Sequence, residues 1–251
     1  VDGGDVAEEL RELTAAVRAH VEWGHALGFD GLPPTAPPPA AARPEPAARE
    51  ARPEGPVAAP RKDLRRLAVL AEEAARCTRC GLHQGRTRSV FARGAPATAA
   101  VAFVGEGPGY HEDQRGEPFV GRAGKLLDKM IAAMGLSAAE FYVCNVVKCR
   151  PPDNRTPLPD EIAACRGYLE GQLEVVQPEV IVALGRCAAE SLGVGGPGWR
   201  GRWGTFRDTP VMPTYHPAYL LRNEAQKRPV WEDLQAVVRR LGRELPRRRR
   251  G

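Results

Sequence analysis

The chain of 251 residues contains no apolar run of about 18 residues, the length a membrane-spanning helix needs. Nor does it open on a charged segment followed by an apolar one, so a secretory leader is not expected and the chain reads as a soluble, cytoplasmic protein. Two phosphate-binding signatures are missing. GxxxxGK followed by Ser or Thr occurs nowhere, and the spacing Gly105-x-Gly107-x-Gly109 is not the GxGxxG of dinucleotide sites. A second Cys-x-x-Cys, which a structural zinc more often shows, is also absent. Six cysteines in a chain read as intracellular argue against a disulfide framework.

What is present is an uneven chain with a basic balance, 36 Lys+Arg against 31 Asp+Glu, which suits a polyanionic partner such as nucleic acid. Residues 1–31 carry Val6, Leu10, Leu13, Val17 and Val21 at helical spacings and predict an amphipathic helix, a candidate for binding another protein. Residues 32–60 turn to Pro, Ala, Arg and Glu and predict a linker, because such a composition buries too little apolar surface to fold. Residues 61–245 form the expected compact domain, monomeric, and 246–251 a basic tail.

The domain is organised around a glycine-rich loop, Gly105–Gly124. It follows an apolar run, Ala99–Val104, and precedes helical spacing over Lys125–Ile131, so a strand feeds a loop and a helix. Phe141–Val147, Val180–Leu184 and Val211–Tyr215 predict three more strands, with helices over Lys62–Arg76, from Pro159 to Pro178, over Gly185–Leu192 and over Glu224–Gly242. Strands alternating with helices imply an α/β fold, a three-layer α/β/α sandwich with a central, mostly parallel four-stranded sheet. Ligands in such folds sit at the carboxyl ends of strands. The central loop, Asn145 and His216 all fall there.

Cys77-Thr78-Arg79-Cys80 has the gap that lets two thiolates grip one metal or cluster, and Cys149 and Cys165 flank a Pro-rich loop. A four-thiolate site follows, either zinc or an iron–sulfur cluster, the latter being tolerant of irregular spacing. Cys144 and Cys187 read as ordinary buried thiols.

Four separated segments then occur in order: Gly105-Glu106-Gly107-Pro108-Gly109 with Glu112-Asp113, Gly116-x-Pro118-Phe119-Val120-Gly121, Asn145-Val146-Val147-Lys148-Cys149-Arg150-Pro151-Pro152, and His216-Pro217-Ala218-Tyr219-Leu220-Leu221-Arg222. Together they resemble family 4 uracil-DNA glycosylases from about Lys62 to Leu241. One departure is Gly107, where the family often has alanine. The resemblance implies excision of uracil from single- and double-stranded DNA, and a four-iron four-sulfur ([4Fe-4S]) cluster on Cys77, Cys80, Cys149 and Cys165.

By the same resemblance Phe119 stacks on the flipped base, Asn145 reads its edge, and His216 meets the charge of departing uracil. Gly107 and Glu112 line the base site, Glu112 near uracil C5. Water activation is left to Glu106 or Asn154. Arg150, Arg155 and Arg222 are expected at the DNA backbone, and Leu220 and Leu221 as wedges into the vacated stack. Rival readings are a relative that captures uracil-DNA covalently, a non-catalytic iron–sulfur DNA-binding module and a zinc module. The first needs a histidine in the loop after the second strand, and Lys148–Pro157 contains none.

Overall fold

The computed structural model describes residues 62–245. The expected amino-terminal helix and linker, and the arginine tail, lie outside the described residues. In chain order the elements are α1 (Leu64–Arg76), β1 (Ala92–Gly94), β2 (Val101–Gly105), α2 (Tyr110–Arg115), α3 (Arg122–Ala133), β3 (Phe141–Asn145) and α4 (Pro159–Val176). Then come β4 (Val180–Leu184), α5 (Arg186–Ser191), β5 (Gly204–Phe206), β6 (Thr209–Thr214), α6 (Pro217–Leu220) and α7 (Lys227–Arg240).

The sheet has six strands in the order β1-β3-β2-β4-β6-β5, not the four expected. The expected four are its parallel centre, β3-β2-β4-β6. The two additions are antiparallel edges, β1 registering Ala92 against Cys144 and β5 registering Gly204 against Val211. Ala-Arg-Gly and Gly-Thr-Phe are too short to carry an alternation, and glycine disfavours strand, so nothing local marks them. Their pairing comes from the neighbouring strand.

Helices cover both faces, which is why β2 and β4 are buried along their whole length and read as unbroken apolar runs. Ala102, Val104, Ile181 and Ala183 pack with Leu67 of α1, Leu169 and Leu173 of α4 and Ala188 of α5. Val101, Phe103, Val180 and Val182 pack on the other side with Leu127 and Ile131 of α3 and Leu234 and Val237 of α7. Helix α4 begins on Pro159, whose missing N–H costs nothing there, while the Glu161 carboxylate accepts the Leu158 N–H at 2.7 Å. It ends at Gln177, in the left-handed region with φ +44°, just before Pro178.

From β2 the chain steps to β3 on one side and then to β4 on the other, so the strand order reverses beside β2. A crevice opens at the carboxyl ends next to such a reversal. The residues delivered to that rim are Gly105 of β2, Asn145 of β3 and, two positions after β6, His216. Among the described residues no helix is long and apolar enough to cross a membrane.

Candidate active site and thiol cavity

A cavity of about 500 Å³ lies at the rim, lined by Glu106, Gly107, Pro108 and Gly109 from the loop after β2, and by Glu112, Phe119 and Ala123. Asn145, Pro151, Asn154 and Arg155 line it from β3 and the loop that follows, and His216, Ala218, Tyr219 and Arg222 from the segment after β6. Phe119, Asn145 and His216 thus meet in one site. So do Glu106, Gly107, Glu112 and Asn154.

Two glycines make that convergence possible. A Cβ on Gly105 would stand 2.4 Å from Asn145 Oδ1 and 2.6 Å from Phe119 Cζ, so only a bare backbone leaves room for both side chains at the cavity wall. A Cβ on Gly124 would stand 1.7 Å from the Phe119 carbonyl oxygen. Phe119 itself has φ +57°, a conformation uncommon outside glycine, and backbone of that kind clusters at ligand sites. The Phe119 ring lies 5.5 Å from the His216 ring, centre to centre, with the planes 30° apart.

Asn145 is 1% exposed, and its Oδ1 has no hydrogen-bond partner among the described residues. Leaving such an acceptor unmade costs about 1–3 kcal/mol, so a ligand donor there would recover what folding forgoes. Its main chain is firmly placed. β2 and β3 remain paired beyond the sheet, with the Val146 N–H on the Gly105 carbonyl at 2.9 Å and the Val147 N–H on the Glu106 carbonyl at 3.1 Å.

His216 caps α6: its Nδ1 accepts the Ala218 N–H at 3.1 Å. An imidazole nitrogen that accepts carries no proton, so the proton sits on Nε2. Burial draws the His216 pKa down from its usual 6.5 to about 4, against a weaker opposing pull from Glu112. At neutral pH the ring is an uncharged donor. Burial also raises the Glu106 carboxyl above its ordinary value, opposed by a hydrogen bond from Thr156.

Glu112 lines the cavity, but its carboxylate is occupied by the loop. Oε1 accepts the Val120 and Gly121 N–H groups, each at 2.9 Å, and Oε2 accepts the Gly109 N–H at 3.2 Å. It therefore clamps the turn around Phe119. Asp113, 1% exposed, accepts the Thr87 and Arg88 N–H groups and anchors the other side of the loop.

The residues expected at DNA divide. Arg222 and Leu221 are exposed, Leu221 at 37%, whereas Leu220, the last residue of α6, is 1% exposed in the core. Of the two leucines, only Leu221 reaches solvent. The reason is helical phase, since successive side chains of a helical turn point about 100° apart. Arg155 is held in a two-nitrogen pair with buried Glu161, at 2.8 and 2.6 Å, so its charge is already matched. Arg150 donates from Nε to Asn154 Oδ1 at 2.7 Å and lies 5.2 Å over the Tyr110 ring.

A second, smaller cavity is lined by Cys77, Cys80, Cys149 and Cys165, joined by Arg79, His83, Lys148 and Tyr168. Among the described residues no group of three or more His, Cys, Asp or Glu is close enough to hold a single metal ion. The four sulfurs instead surround a space. N–H groups point at three of them: Arg86 Nη1 to Cys149 at 3.1 Å, the Lys148 N–H to Cys165 at 3.3 Å, and Arg79 Nε to Cys77 at 3.4 Å. Donors aimed at sulfur stabilise thiolate, so the donor set fits a body larger than one ion held by four cysteines. Cys144 and Cys187 are buried away from this cavity.

Sequence reasoning missed Lys148, 1% exposed at the wall of the thiol cavity, because lysine reads as a surface residue by default. It missed Gly124 too, whose role is apparent only once Phe119 is seen to turn back on it.

The sequence profile described as Uracil DNA glycosylase superfamily matches residues 91–235. The chain is 45% identical over 179 residues to the type-4 uracil-DNA glycosylase of Thermotoga maritima, covering 67% of this chain and 91% of that protein. It is 39% identical over 190 residues to that of Archaeoglobus fulgidus, covering 70% and 94%. Against that of Sulfurisphaera tokodaii it is 40% identical over 184 residues, covering 68% and 83%.

Proposed function

The chain belongs to the uracil DNA glycosylase superfamily, and from that membership we propose that it hydrolyses the N-glycosidic bond of uracil in single- and double-stranded DNA, leaving an abasic site for base excision repair in the cytoplasm. The observation that carries this reading is buried Asn145, its Oδ1 without a partner among the described residues, lining the same cavity as Phe119 and a neutral His216.

A base in a duplex must be flipped out before any group can reach it, at about a few kcal/mol. Phe119 offers the flipped ring a π-face. Asn145 Oδ1 accepts the uracil N3–H while its amide N–H donates to O4. Cytosine presents the reverse pattern, and one wrong bidentate pair costs about 1–3 kcal/mol. As the bond breaks, negative charge gathers on uracil O2. The Nε2–H of His216 meets it, already oriented by the Ala218 N–H, with no reorganisation at the moment of reaction.

Glu106, whose carboxyl pKa is raised by burial at the cavity wall, takes the proton of the attacking water. Asn154 has one lone pair of Oδ1 on Arg150 and orients rather than deprotonates. Glu112 acts by holding the Phe119 turn and by filling the side of the base site. Arg150 and Arg222 take DNA phosphates, and Leu221 enters the vacated stack.

Cys77, Cys80, Cys149 and Cys165 hold a [4Fe-4S] cluster. Held by these four cysteines, such a cluster would join the loop after β3 to α1 and α4, and a hydrolysis would need no electron from it. Zinc fits less well, since the four sulfurs do not close on a point. The test is incubation with a uracil-containing oligonucleotide followed by alkali. Strand cleavage at uracil and not at cytosine or thymine supports the reading; an intact strand removes it.

A further inference from the structure

We propose that Lys148 is a positioning residue that ties the main chain of the base-reading Asn145 to the charge of the thiolate cavity. The proposal rests on the reading above for Asn145 and for the four cysteines.

Lys148 is the largest charged side chain among the fully buried residues described, 1% exposed. Its Nζ donates to the Asn145 carbonyl oxygen, and that is its hydrogen bond among the described residues. The ammonium stands 5.9 Å from the centre of the Phe91 ring. Burial lowers the Lys148 pKa, and Cys144, Cys165 and Cys149, the ionisable groups beside it, pull the other way. A buried ammonium with one carbonyl and one ring face lacks a full counter-charge, and a bare buried charge is strongly destabilising. Two of its sulfur neighbours are among the four that line the cavity, which Lys148 also walls. Thiolates there complete its environment.

The main chain of Lys148 is fixed by the same neighbourhood, its N–H on Cys165 Sγ at 3.3 Å and its carbonyl accepting the Val90 N–H at 2.8 Å. Only the side chain turns back, over three residues, to the rim of the uracil cavity. The route from cluster to base site is thus one ammonium long. It explains why a lysine follows two β-branched residues in a buried segment, where an apolar residue would pack without charge.

The experiment uses the holoprotein and two variants. Lys148→Met keeps the length and removes the charge; Lys148→Arg keeps the charge. Iron content, cluster midpoint potential and single-turnover excision are measured for each, and Lys148→Met is also combined with Asn145→Ala. Loss of one nearby positive charge makes an anionic cluster harder to reduce, so Lys148→Met should shift the potential to more negative values while Lys148→Arg stays near the parent.

Lys148→Met should slow single-turnover excision about tenfold, as loss of outer-shell partners of a metal site does. In the Asn145→Ala background that loss should shrink severalfold, because residues acting through one another are not additive. Iron lost from Lys148→Met and kept in Lys148→Arg also supports the charge role. An unshifted potential, equal shifts in both variants, iron lost from both, or a fully additive double variant overturns it. Should the parent fail to cleave uracil, the glycosylase reading falls by itself, and the potentials still decide whether Lys148 faces the cluster.

Discussion

The Ala218 N–H donates to His216 Nδ1 at 3.1 Å, and this single main-chain contact decides which face of the imidazole carries hydrogen. That leaves the hydrogen on Nε2 of a ring that lines the cavity, where the proposed reaction needs a donor. His216→Ala should therefore bind uracil-containing DNA nearly as the parent does, while its single-turnover rate falls about 10²–10³-fold. Binding and single-turnover excision on the same oligonucleotide check this. Lost affinity with an intact rate would move the leaving-group role elsewhere.

The burial that keeps His216 neutral has a cost in acid. Its pKa is drawn from 6.5 to about 4, so as pH falls the unfolded chain binds the proton first. Stability from this group is full above pH 6.5 and is lost progressively down to about 4, by on the order of 3 kcal/mol at most. Denaturant unfolding of parent and His216→Gln across that window should show a steeper loss in the parent. Parallel curves would mean that His216 is hydrated in solution.

Gly124→Ala should cost about 1–3 kcal/mol or more, since its Cβ runs into a main-chain oxygen of Phe119 that cannot rotate away. Excision should fall further than stability does, because relief of the clash moves the stacking ring. Gly167, exposed within α4 with nothing within 4 Å of a Cβ, is the control. Gly167→Ala should stabilise by about 0.4–1 kcal/mol and leave excision unchanged. Equal effects at the two positions would reject the Phe119 turn as the cause.

Cys149→Ala should lose iron, visible absorbance and stability together, because three thiolates hold a four-ligand body poorly and Arg86 loses its sulfur partner. Cys187→Ala, away from the thiol cavity, should retain iron. A coloured Cys149→Ala or a colourless Cys187→Ala would mean a different ligand set.

Deletion of residues 1–60 should leave excision intact, as expected if the Pro- and Ala-rich stretch 32–60 is a linker. A folded truncation without activity would place part of the site, or of its DNA contact, before residue 61.

The amino-acid sequence by itself determined the central strands, the glycine-rich loop between β2 and α3, and the placing of that loop, Asn145 and His216 at strand ends. These are local matters, set by side-chain period, by glycine and proline sterics and by motif spacing within a few residues. The tertiary structure decided what depends on residues far apart in the chain. Edge strands β1 and β5 exist because β3 and β6 offer unpaired main chain, which their own three residues do not announce. Leu220 is core and Leu221 surface because α6 docks on one side only, and Arg155 is matched to Glu161 because α4 starts where it does. Lys148 is buried because a carbonyl and a ring of thiols close around it, and burial is a property of what surrounds a residue rather than of its own chemistry.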